Sequence, residues 1–211
     1  MDRPSSRTRT SASGAPDPAT LGAARAVQSE AAYWRGDLDD AVRYAAEAAE
    51  RLEAGQGPWF DAVSVAVSAL GQRGQNVAVA RWLERAASVT SAPDARGAQL
   101  IALCRGLTQL YWAHHGSDLR PVHARLYDLA QPLDALGPYH AAWVHRVHAE
   151  GLWIRAHEVD RCLEAFDASC EAYARADARR ALCLTWINSA SLHGWSGAFE
   201  RSDELLARAV A

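Results

Sequence analysis

Residues 33–52 read YWRGDLDDAVRYAAEAAERL, and this stretch decides the fold. A Gly36-Asp37 break is followed by Leu38, Ala41, Val42, Ala45, Ala48, Ala49 and Leu52, spaced by three or four residues. That spacing places the apolar residues on one stripe of an amphipathic helix, with Asp39, Asp40, Glu47 and Glu50 left to solvent. Glycine at the break suits a chain that stops one helix and at once begins another.

The same grammar runs outward to both ends. Tight polar breaks recur at Gly74, Gly116, His157 and Gly197, and the intervals from Gly36 onward are 38, 42, 41 and 40 residues. Longer breaks with Gly or Pro fall between them, at Gly55-Gln56-Gly57-Pro58, Ser91-Ala92-Pro93-Asp94 and Gly137-Pro138. The pattern predicts helices over 20–35 with 38–54, 58–72 with 76–90, 95–115 with 118–131, 138–156 with 159–176, and 179–195 with 199–211. Residues 1–18, MDRPSSRTRTSASGAPDP, offer almost nothing to bury and read as a disordered tail or linker; residues 19–211 form the helical domain.

Side chains repeat with the breaks. Five residues after each break stands Ala41, Val79, Cys162 or Ser202; nine after, Ala45, Leu83, Phe166 or Leu206; twelve after, Ala48, Ala86, Ser169 or Ala209. The third unit fits with a one-residue slip, through Val122, Leu126 and Leu129. Small residues at the first and third positions let paired helices cross closely, and the larger one fills the groove between neighbours.

The turn and second helix of this pattern, best kept in YWRGDLDDAVRYAAEAAERL and in GWSGAFERSDELLARAV at 194–210, resemble the tetratricopeptide repeat. The likeness implies an all-α, right-handed superhelical array of about five antiparallel hairpins, an α-solenoid whose first helices line an inner, concave face. More narrowly, the chain looks like the divergent repeat regions of large bacterial signalling proteins that carry a serine/threonine kinase or ATPase module. That resemblance implies a non-catalytic sensor or docking arm that binds a protein or peptide.

Composition excludes several chemistries. All 22 basic residues are arginine, and without lysine the chain can supply neither a P-loop, nor the kinase phosphate lysine, nor a Schiff base. A net charge of −3 with interspersed signs leaves no basic face for nucleic acid. No apolar run reaches the roughly 18 residues of a membrane span, so a cytoplasmic protein without cofactors is expected. The arginine and alanine bias suggests a GC-rich bacterial genome. Cys104, Cys162, Cys170 and Cys183 lie among apolar helical positions and read as buried small hydrophobes.

Candidate binding residues follow from the first helices. Arg105, Gln109, Trp112, His145, His148, Arg155 and Asn188 are placed there to meet the carbonyls or carboxylates of an extended peptide. An alternative reading uses His140, His145 and His148 as metal ligands of a helical metalloprotein, since residues three apart share a helix face. The last helix leaves Leu205, Leu206 and Val210 uncovered, which suggests self-association through that face.

Overall fold

The structure, a computed structural model, describes residues 17–116 and 118–210. The first sixteen residues, and with them most of the expected tail, lie outside the described residues. Ten α-helices and no strand occur among those described: α1 Pro18–Arg35, α2 Leu38–Arg51, α3 Gly57–Gln72, α4 Asn76–Ser88, α5 Arg96–Trp112, α6 Arg120–Ala130, α7 Pro138–Gly151, α8 Val159–Arg175, α9 Arg179–Trp195 and α10 Phe199–Val210. A single π turn, Leu152–Ala156, extends α7. None of these helices is long and apolar enough to cross a membrane.

The start signals are chemical. The Asp17 carboxylate accepts from the Thr20 amide at 3.2 Å and caps α1, while proline opens α1, α3, α6 and α7, where a missing N–H costs nothing. The stops are equally regular. Asp37, Gln75, His115 and Ala198 each donate a backbone N–H to the carbonyl five residues earlier, on Ala32, Leu70, Leu110 and His193, at 2.8–3.0 Å. Such a closure needs a left-handed residue just before the donor. Gly36, Gly74 and Gly197 supply it with φ of 80°, 70° and 86°.

In the third turn the left-handed position falls to His114, at φ 48°, and not to Gly116 as the periodicity suggested. Measured from His114, Val122 lies eight residues on and not five, because α6 begins only at Arg120 after a longer connection. In the fourth, His157 at φ 55° closes the π turn, with the Glu158 amide reaching six residues back to Leu152.

Consecutive helices pack together, α1 on α2, α3 on α4, α5 on α6, α7 on α8 and α9 on α10. The first members also pack in series, α1 on α3, α3 on α5 and α5 on α7. The repeating positions lie in the core: Ala41, Ala45, Ala48, Val79, Leu83, Ala86, Val122, Cys162, Phe166 and Ser169 are wholly buried. Close approach depends on missing side chains, since a Cβ on Gly106 of α5 would lie 2.4 Å from Leu83 of α4. Buried polar groups close the helix ends. The Trp59 indole donates to the Ala49 carbonyl at 3.2 Å, and the Gln99 amide donates to the Ala86 and Val89 carbonyls at 2.7 and 2.8 Å.

The last helix departs from the expected register. Leu205 is buried against α9, whereas Leu206 and Val210 are exposed, so the apolar stripe of α10 is rotated by one residue. Cys104 and Cys162 are buried, and Cys170 and Cys183 are half-buried.

Candidate functional site

First helices converge on a cavity of about 380 Å³. Trp34 comes from α1, Ser68 from α3, Arg105 and Gln109 from α5, Trp143 and Arg146 from α7, and Arg180 from α9. Arg179 adds a fourth arginine, and no carboxylate lines the wall. Two of the four pair with carboxylates that lie off the wall, so the positive charge left to this concave, partly apolar space is that of Arg105 and Arg180.

The arginines are held in different ways. Arg146, with a side chain only 11 % exposed, donates through Nε to the Glu150 carboxylate at 3.0 Å. Glu150 has no exposed surface and accepts a second hydrogen bond, from Thr108 Oγ1 at 2.6 Å. This buried carboxylate therefore fixes the position of the Arg146 guanidinium, which lines the cavity. Arg105 and Arg180 form no ion pair among the described residues and lie instead over indole rings, 5.6 Å from the Trp143 centroid and 3.6 Å from that of Trp34. The contact between Arg180 and Trp34 joins α9 to α1 at the cavity wall. Arg179 pairs with Asp177 at 3.2 Å in full solvent, where the pair has little strength.

The structure distributes the seven expected site residues over several places. Arg105 and Gln109 share the arginine-lined cavity. His148 and Arg155 face a second cavity, of about 520 Å³, beside Tyr111 and His123. Trp112 borders a third, and His145 and Asn188 line none of the three. Arg180, Thr108 and Glu150 were not anticipated. Of these, Glu150 had a signal, since it stands four residues after Arg146 on one helix face.

The histidine triad does not assemble. Among the described residues no three His, Cys, Asp or Glu side chains lie close enough to hold a metal ion. His140 turns toward α5, where its ring packs on Gly97, while His148 faces the cavity beside Tyr111. Burial lowers the proton affinity of His140, His145 and His148 alike. It has the opposite effect on thiols: Cys104 is pushed well above the usual range, and Cys162 and Cys170 are pushed up to about 12, so none of the three is a ready thiolate nucleophile.

No protein-family model matches the chain, and comparisons with curated proteins and with solved structures find no match.

Proposed function

We propose that the chain is a non-catalytic binding scaffold, a tetratricopeptide-like array of about five hairpins wound into a right-handed superhelix, whose inner face grips an acidic segment of a partner protein. One observation carries the reading: all five first helices contribute to a cavity with four arginines and no carboxylate. An extended acidic peptide supplies carboxylates to the free guanidinium groups of Arg105 and Arg180, and its apolar parts lie on Trp34 and Trp143. In this reading the chain acts as the docking region of a cytoplasmic bacterial signalling regulator. Exposed Leu206, Phe199 and Val210 on α10 give it a second surface, suited to self-association.

Fluorescence anisotropy with fluorescein-labelled hexaglutamate tests the reading. Saturable binding is expected, weakening as salt is added. Reversing two charges together, Arg105→Glu with Arg180→Glu, is expected to reduce affinity at least about tenfold, while Arg201→Glu on α10 leaves it unchanged. Equal affinity for all three proteins would remove the cavity from the function.

A further inference from the structure

A second group of aromatic residues lies on the turn side of the molecule. Trp112 is the last residue of α5, Trp153 sits in the π turn that prolongs α7, and Trp195 is the last residue of α9. The ring centroids of Trp112 and Trp153 are 5.1 Å apart with an interplanar angle of 86°, and those of Trp153 and Trp195 are 6.1 Å apart at 84°. Trp153 therefore stands at right angles to both neighbours, and the three indoles border a cavity of about 530 Å³. Trp112 is 44 % exposed and Trp195 83 %, so both indoles are reached from solvent.

The sign of the ligand's charge follows from two features. Indole faces present the negative side of the ring quadrupole, and elsewhere this chain covers such faces with its own cations. Arg180 lies over Trp34, Arg85 over Trp59 and Trp82, and Arg105 and Arg146 over Trp143. Among the described residues no arginine lies over Trp112, Trp153 or Trp195, and none lines their cavity.

The type of cation follows from the wall. Apart from two serines and two histidines, Ser191, Ser196, His114 and His157, the lining is apolar and holds no carboxylate. These few hydroxyls and imidazoles offer a guanidinium or primary ammonium only sparse acceptors for its several N–H donors, whereas a quaternary ammonium has no N–H to satisfy. We propose that the Trp112, Trp153 and Trp195 pocket binds a quaternary ammonium group. A small molecule such as choline and a trimethylated lysine side chain share that chemistry. The assignment holds whether or not the arginine-lined cavity takes a peptide.

Titration of intrinsic tryptophan fluorescence at constant ionic strength tests the assignment. The ligands are choline, the blocked amino acid N-acetyl-trimethyllysine methylamide, and 3,3-dimethyl-1-butanol, the uncharged carbon isostere of choline. Both cations are expected to saturate the signal and to bind at least about tenfold more tightly than the isostere. Tighter binding of the lysine derivative assigns the site to a modified protein, and tighter binding of choline to a free metabolite or headgroup. Trp195→Leu is expected to weaken both cations about tenfold and Trp195→Phe by less, with circular dichroism unchanged because Trp195 packs so little. Equal affinity for the isostere, absence of saturation up to about 50 mM, or full affinity in a folded Trp195→Leu protein would each overturn the proposal.

Discussion

Thr108 on α5 donates a 2.6 Å hydrogen bond to the wholly buried carboxylate of Glu150 on α7, which also holds Arg146 at 3.0 Å. This triad joins two first helices and sets the position of one cavity arginine. Glu150→Ala leaves a guanidinium buried without its partner, so a loss of about 3–5 kcal/mol is expected in urea unfolding. The double variant Glu150→Met with Arg146→Met is expected to recover most of it, because no uncompensated charge remains. If the double variant is no more stable than the single one, the pair is not the source of the loss.

Glycines on α5 and α9 make a paired prediction. A methyl group on Gly106 would meet buried Leu83 at 2.4 Å, whereas one on Gly194 would meet only Ser202 Oγ at an ordinary 3.6 Å. Gly106→Ala is expected to destabilise by about 1–3 kcal/mol through overpacking. Gly194→Ala is expected to stabilise by up to about 1 kcal/mol through helix propensity. Thermal unfolding of both proteins shows whether the shifts have opposite signs.

Arg180 and Trp34 supply a more local test. Replacing Arg180 by Ala removes a stacked guanidinium from the cavity wall, with a cost of about 0.5–1 kcal/mol for so exposed a contact. The emission of Trp34, isolated as the difference between spectra of wild-type and Trp34→Phe proteins, is expected to change in the Arg180→Ala background. An identical difference spectrum in both backgrounds would place Arg180 away from the ring.

Acid sensitivity follows from the histidines. Burial depresses His123, His140, His145 and His148, with Arg155 adding to the effect at His123 and Arg161 at His148. Below the ordinary histidine value of about 6.5, the unfolded chain takes up protons that the folded chain does not, so stability is lost as pH falls through that value. The melting temperature is expected to drop between about pH 7.5 and 5.5, and His140→Gln is expected to flatten the slope. An unchanged slope would remove His140 from the effect.

Much of the helical layout was legible in the sequence because apolar spacing and glycine turns are local signals. Ala41, Leu83 and Phe166 could be placed in the core from their distance to a turn, and Arg105 and Gln109, expected on the inner side of a first helix, line a cavity. The third turn misled because His114, an uncommon residue for a left-handed position, stands two residues before the glycine that drew attention. Leu206 misled for a similar reason, since one residue of helical rotation exchanges it with Leu205. The contact between Arg180 and Trp34 joins residues far apart in sequence and depends on the summed rotation of the intervening helices. The dispersal of the histidines has the same origin, because spacing on one helix does not determine what the facing helix brings.

Whether the first helices form the binding surface is read most directly by hydrogen exchange and mass spectrometry with saturating hexaglutamate. Protection is expected in peptides spanning the cavity-lining parts of α1, α5, α7 and α9, with α2, α4 and α10 unchanged. Protection concentrated on α2, α4 or α10, with α5 and α9 unaffected, would contradict a binding surface on the first helices.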